Sequence, residues 1–186
     1  MKKLTIIILG FILLFGCFGI GGKQAGTQVS KIMSGKTGSQ MAIKTTSFLA
    51  GGNIPMKYTC DGQNVNPQIA FENTPRETKT FGLLVEDIDS GQKFTHLVVW
   101  NIPNKTKEIK VGEIDGLQGK NSFGTLGYSG PCPPEGEQHT YKFKAYALDT
   151  ELALPEGSTK EEFQKTIGGH VLAEAEITGE YKRNYK

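Results

Sequence analysis

The sequence predicts a mostly-β domain, a β-sandwich or Greek-key assembly with a few peripheral helices. Two short apolar runs, Phe81-Gly82-Leu83-Leu84-Val85 and Leu97-Val98-Val99-Trp100, are bounded by polar residues. Runs of that length suit strands buried on both faces. Two longer stretches alternate with period two. Tyr141, Phe143, Ala145 and Ala147 interleave with Lys142, Lys144, Tyr146 and Leu148, and Val171, Ala173, Ala175, Ile177, Gly179 and Tyr181 interleave with Leu172, Glu174, Glu176, Thr178 and Glu180. Such alternation makes one face of a strand, whereas a helix would scatter it around its circumference. Only one segment carries both a helix start and a helix stop, so strands dominate.

Taken in order, Met41 to Phe48 and Gln68 to Phe71 read as the first strands, separated by the turn-rich Asp61-Gly62-Gln63-Asn64. The two buried runs follow. Glu113 to Asn121 lacks apolar periodicity and reads as loop. The segment from Gly127 to Tyr141 holds Pro131, Pro133 and Pro134 among Gly127, Gly130 and Gly136. Pro lacks an N–H and Gly loses backbone entropy on ordering, so this segment is expected as an exposed, stiff loop that walls a pocket. His139 and Tyr141 then sit at the mouth of the strand that follows. The helix is signalled by Ser158 three residues before Glu161, by Phe163 and Ile167 at four-residue spacing, and by Gly168-Gly169 as its stop. His170 is expected to contact the last carbonyls of that helix, at Thr166 or Ile167, and Trp100 to lie in the core.

The beginning of the chain reads as an export signal. Lys2 and Lys3 precede an almost wholly apolar stretch, Leu4 to Phe15, and Gly16-Cys17 closes it. The stretch is too short for a permanent span, which needs about 20 residues. Leu14-Phe15-Gly16-Cys17 resembles the lipobox of secreted lipoproteins, with Phe15 bulkier than the motif usually carries. That resemblance implies removal of residues 1–16 and lipidation of Cys17; a signal cut elsewhere or a retained anchor is the alternative. Residues 17–40 are then a lipidated cysteine and a flexible linker rich in Gly, Ser, Thr and Gln, spanning about 25–30 Å. Lys23, Lys31 and Lys36 on that tether suit an anionic membrane surface or plain solubility. The remainder, 41–186, is one domain at the outer face of the cell membrane, or secreted or periplasmic.

Loss of Lys2 and Lys3 reduces the 21 basic residues to 19, matching the 19 acidic ones. Such a neutral chain has no electrostatic footprint for nucleic acid. Cys60 and Cys132 remain. In an oxidising compartment they either form a disulfide or stay as two buried thiols too far apart to bond. A bond would close a loop of about 70 residues, worth roughly 4 kcal/mol in the chain-entropy model.

The polar residues that punctuate the strands fall in a distinctive order. Ile54-Pro55-Met56-Lys57-Tyr58-Thr59-Cys60-Asp61-Gly62 comes first, then Asn66-Pro67, Glu86-Asp87-Ile88-Asp89, His96-Leu97-Val98-Val99-Trp100-Asn101-Ile102-Pro103, Asn121-Ser122-Phe123-Gly124 and the Gly127 to Tyr141 loop. This order resembles the phosphatidylethanolamine-binding protein family, in its prokaryotic Raf-kinase-inhibitor-like branch, from Met41 to Arg183. The resemblance implies a β-sandwich with a small anion-binding cavity at one end, lined by Asp87, Asp89, His96, Gly130, Pro131, His139 and Tyr141. The family's Asp-Pro-Asp-x-Pro segment falls on Asp87-Ile88-Asp89-Ser90-Gly91, where both prolines are absent. Its His-Arg-Tyr falls on His139-Thr140-Tyr141, where the cation is absent.

The same residues make chemical sense on their own. A bound phosphate or carboxylate wants donors, which His96, His139, the Tyr141 hydroxyl and N–H groups near Gly130 would supply. Asp87 fits as the acceptor of one imidazole N–H, fixing its tautomer and raising its pKa so that the other nitrogen faces the ligand. Asp89 would do the same or shape its own turn through an Asx bond, and both aspartates also fit as plain strand terminators. The expected role is a surface-tethered, non-catalytic binding protein for a small anion such as phosphate or a phospholipid head group. The alternative is an inhibitor or regulator of a secreted serine protease. No metal or cofactor is expected, since the Asp and His spacing matches no ligand motif and no residue is set up as a nucleophile. The resemblance also implies pairing as a homodimer, for which the sequence carries no hydrophobic seam.

Overall fold

The computed structural model describes residues 40–184. The readings placed on the export signal, on Cys17 and on the linker lie outside the described residues. Eight strands and one α-helix make up the domain: β1 (Ala42–Lys44), β2 (Ile69–Glu72), β3 (Thr80–Asp87), β4 (Thr95–Pro103), β5 (Glu108–Ile109), β6 (Leu117–Gln118), β7 (Gln138–Leu148), α1 (Lys160–Thr166) and β8 (Val171–Lys182). They form a three-stranded sheet, β1-β2-β5, and a five-stranded sheet, β6-β4-β3-β7-β8. All paired neighbours are antiparallel. The chain leaves β4 for β5 in the small sheet and returns as β6 beside β4. It then enters β7 on the other side of β3.

The apolar runs follow from a large sheet covered on both faces. Leu83 and Val85 of β3, Leu97 and Val99 of β4, and Phe143 and Ala145 of β7 pack with Ile43, Ile69 and Phe71 of the small sheet. The alternate residues Leu84, Val98, Trp100, Tyr146 and Leu148 pack under Phe163 and Ile167 at the helix. Phe71 stacks on Phe81 at 4.3 Å, and Phe163 covers Trp100 at 6.0 Å between ring centroids. Gly82 makes the second contact possible, because a Cβ there would lie 2.8 Å from the Phe163 ring.

Four local expectations are corrected. The capping box is built on Thr159 and Glu162, not Ser158 and Glu161: the Thr159 hydroxyl accepts from the Glu162 N–H at 3.2 Å, and the Glu162 carboxylate accepts from the Thr159 N–H at 2.8 Å. Ser158 is spent outside the helix, donating its N–H to Pro155 and accepting from Lys120. The Glu113 to Asn121 loop contains β6, whose two residues pair with Val99 and Trp100. The first strand ends at Lys44 rather than reaching Phe48, because Ser47 turns back: its N–H donates to the Thr45 hydroxyl, and its own hydroxyl accepts from the Gln68 N–H. The His170 ring bonds Asp149 at 2.9 Å, and only its backbone N–H reaches the Ile167 carbonyl. Of the two cysteine readings, the bonded one is found, with Cys60 and Cys132 joined across a Cα–Cα distance of 5.4 Å.

Candidate functional site

Antiparallel pairing of β3, β4 and β7 brings the end of β3 and the starts of β4 and β7 to one end of the large sheet. Asp87 lies opposite Tyr141, and Glu86 opposite Thr95. His139 is two residues from Tyr141 and shares its strand face, so it comes beside Asp87. β7 begins at Gln138, so His139, its second residue, lies at the mouth of the strand as expected. A cavity of about 290 Å³ opens there. Its polar lining is Asp87, Ser90, His96 and His139, and its remaining walls are Phe94, Phe123 and the Cys132-Pro133-Pro134 rim.

The two imidazoles are held in opposite ways. His139 Nδ1 donates to Asp87 at 2.6 Å, and its Nε2 lies 3.2 Å from the Glu137 carboxylate. Burial works against its charge, but the bonds to Asp87 and Glu137 outweigh it and raise the pKa above 6.5. A ring that donates from both nitrogens to carboxylates is an imidazolium. His96 is only 3 % exposed. Its Nδ1 lies 2.6 Å from the Ser129 carbonyl, which only accepts, so the proton is on Nδ1. The Gly130 backbone also acts on the ring and favours its charge, while Nε2, without a side-chain partner among the described residues, carries a lone pair. Burial lowers the pKa of His96 despite the opposing Ser129 carbonyl and Asp87 carboxylate. One histidine is thus set up as a donor and the other as an acceptor.

Asp87 acts as the expected partner of a histidine and as a strand terminator at once. Its Oδ1 accepts from the N–H groups of Asp89 and Ser90, while Oδ2 takes His139. Those three bonds spend the carboxylate's acceptor capacity inside the protein. Asp89 does not line the cavity; its carboxylate accepts from the Thr140 N–H at 2.7 Å, and the Thr140 side chain and then that N–H hold its pKa down. It pins the turn after β3 to the start of β7.

Three expectations about the loop need correction. Gly130, Pro131 and Pro133 are buried, so the segment is exposed only in its second half, at Pro134, Glu135, Glu137 and Gln138. The Gly130 N–H donates to the Asn64 side chain at 2.7 Å and is not offered to a ligand. Gly130 is required for close approach instead, since a Cβ would lie 2.3 Å from the Tyr58 carbonyl. Pro131 is not among the residues lining the cavity; its carbonyl accepts from Cys60. The nitrogen expected to point from His139 to a ligand is the one Glu137 covers.

Tyr141 is fully buried, its ring 5.2 Å edge-on from that of His96. Its hydroxyl has no hydrogen-bond partner among the described residues, although Asp87 and the Cys132 backbone are close enough to act on its ionisation. Burial and then the Asp87 charge hold the phenol well above its ordinary pKa of 10.0. An orphaned buried hydroxyl costs about 1–3 kcal/mol, which marks a place where a partner belongs.

Sequence reasoning missed Glu137, Ser129, Phe94 and Phe123. Glu137 was detectable as a carboxylate two residues before His139, the spacing that puts two side chains on one strand face. Ser129 acts through its backbone, bracketing His96 by donating to the His96 carbonyl and accepting from the His96 ring. Main-chain roles leave no side-chain signal. Among the described residues, no group of three or more His, Cys, Asp or Glu is placed to hold a metal ion.

The sequence profile of the family described as Phosphatidylethanolamine-binding protein matches residues 44–182, nearly the whole of this fold. The chain belongs to that family. A UPF0098 protein of Aquifex aeolicus is 44% identical over 156 residues, covering 79% of this chain and 91% of its own. The crystal structure of a phosphatidylethanolamine-binding protein homologue from Chlamydia trachomatis superposes with a TM-score of 0.73 at 36% identity, covering 78% of this chain and 99% of that one. Escherichia coli YbcL, described as a member of the mammalian family, gives a TM-score of 0.72 at 27% identity over 77% of this chain and 99% of its own. Family membership accounts for the sandwich and for its sparse helices.

Proposed function

We propose that this member of the family binds a small oxyanion, such as phosphate or a phosphorylated head group, in the cavity beside His96 and His139, and performs no chemistry on it. The observation that carries this reading is the unlike pair of imidazoles. His139 supplies a charged N–H, and His96 supplies a lone pair. A singly protonated phosphate or phosphate ester offers the complement, an anionic oxygen for one and a hydroxyl for the other. The unpartnered Tyr141 hydroxyl is a further donor at the same end of the sheet.

Glu137 occupies the place the ligand would take on His139. Its side chain is 59% exposed, so it swings into water at little cost when an anion arrives. Asp87 does not repel that anion strongly, because its charge is neutralised by His139 and by two backbone N–H groups. Catalysis is left out of the proposal because the cavity's hydroxyl and sulfur are engaged: the Ser90 hydroxyl donates to the Asp87 carbonyl and accepts from the Phe94 N–H, and Cys132 is bonded to Cys60. Anchored through Cys17 outside the cell, the domain would hold its ligand near the membrane surface.

Titration calorimetry with phosphate, acetate and phosphoethanolamine at about pH 6 tests the proposal. Heat is expected from all three, weakest from acetate, which offers His139 an anionic oxygen but His96 no hydroxyl, and Glu137→Gln should bind phosphate and phosphoethanolamine about threefold to tenfold more tightly. Silence from all three with folded protein would end the reading.

A further inference from the structure

A second hollow of about 220 Å³ adjoins the cavity. It shares Phe123 and Cys132 with the first and is otherwise walled by Cys60, Asn64, Ser129 and Gly130. Cys132 and Phe123 therefore form the wall common to both hollows, and the disulfide continues that wall to Cys60 in the second. Phe123 is 55% exposed and rests edge-on against Phe94 at 4.7 Å. The two hollows differ in chemistry. Asp87 and His139 put charge into the first, whereas no charged side chain lines the second. Its surface is an aromatic ring, disulfide sulfur and glycine backbone, with the Asn64 amide and the Ser129 hydroxyl as its only polar side-chain groups.

We infer that the second hollow is a subsite for the uncharged body of the ligand whose anionic head sits between His96 and His139. Resting on the anion reading, this narrows the ligand class to oxyanions carrying a short, mainly apolar substituent, such as alkyl phosphate monoesters. The geometry also gives a polarity. The charged donor, His139, lies in the first hollow, so the substituent must pass Phe123 and Cys132, the residues common to both, to reach the second. A doubly charged ligand would leave its second charge without a partner there, which is unfavourable in a partly desolvated wall.

Full burial of a methylene is worth about fourfold in affinity, and a half-covered groove about half that free energy, or roughly twofold per methylene. Calorimetry with inorganic phosphate, n-butyl phosphate and n-hexyl phosphate measures it. The hexyl ester is expected to bind at least tenfold more tightly than phosphate, and Phe123→Ala should reduce that ratio to threefold or less. In amide NMR spectra, Asn64 and Ser129 should shift with the hexyl ester and barely move with phosphate. Equal affinities for phosphate and hexyl phosphate, or a ratio that Phe123→Ala leaves intact, or silent Asn64 and Ser129 amides, would overturn the subsite while the anion reading stands. Failure of all three ligands to bind would remove both.

Discussion

The helix-covered face of the large sheet and its cavity end are built from the same three strands, yet they treat buried groups in opposite ways. Under α1, Trp100, Tyr146 and Phe163 fill the space with hydrocarbon, and the one indole N–H involved is satisfied by the Leu154 carbonyl at 3.2 Å. At the cavity, two imidazoles and a carboxylate line an open volume, and the buried Tyr141 phenol beside His96 goes unpaired among the described residues. The first region lowers the free energy of the fold. The second accepts a cost, and the cost falls where a ligand would remove it. Stability and recognition are thus separable along single strands, a few residues apart.

That separation is broken most severely from the helix side. Phe163→Ala empties a fully buried ring site and should destabilise by about 3–5 kcal/mol in denaturant titrations. Phosphate affinity in the remaining folded protein should stay within about twofold, because Phe163 packs with Trp100 and Tyr146 and does not line the cavity. Next comes the disulfide, which belongs to both regions. Replacing Cys60 and Cys132 with Ser should cost about 2–5 kcal/mol and also weaken phosphate binding, since Cys132 is a cavity wall.

Asp87→Asn keeps the acceptor for the Asp89 and Ser90 N–H groups but faces His139 with an amide. Phosphate affinity should fall about tenfold, and the His139 pKa should drop in an NMR titration, while thermal stability changes less than in either variant above. The smallest change sharpens the comparison furthest. Tyr141→Phe removes a hydroxyl that nothing among the described residues satisfies, so stability should hold or rise slightly. Phosphate affinity should nevertheless fall by about fivefold. A loss of stability in this variant would mean that the hydroxyl serves the fold.

The histidines respond to pH in opposite senses. His139 has a raised pKa, so its charge contributes fully below 6.5 and that contribution is lost as pH rises through the raised value. His96 has a lowered pKa, so between that value and 6.5 the unfolded chain binds the extra proton. Acidification through that window therefore destabilises the fold.

The long elements were legible because their patterns are long. β7 and β8 carry alternation over 11 and 12 residues, and β3 carries an apolar run that only a doubly covered strand requires. β5 and β6 have two residues each and pair through backbone groups that any sequence possesses. The helix start was ambiguous by one residue, as Ser158-Thr159 and Glu161-Glu162 offer two capping boxes. Asp87, His96 and His139 were found as a set, whereas the direction of each nitrogen was not. That direction depends on the Ser129 carbonyl and on Glu137, one a main-chain atom and the other a carboxylate in a polar loop.

Acetate affinity measured from about pH 6 to 9 is the most direct test, because the charge of acetate is constant over that range. The account predicts binding that persists at pH 6.5 and falls at least tenfold as pH rises through the raised pKa of His139, with the midpoint above 6.5. No binding at any pH, a flat profile, or a midpoint below 6.5 would contradict the claim that a charged His139 receives the ligand.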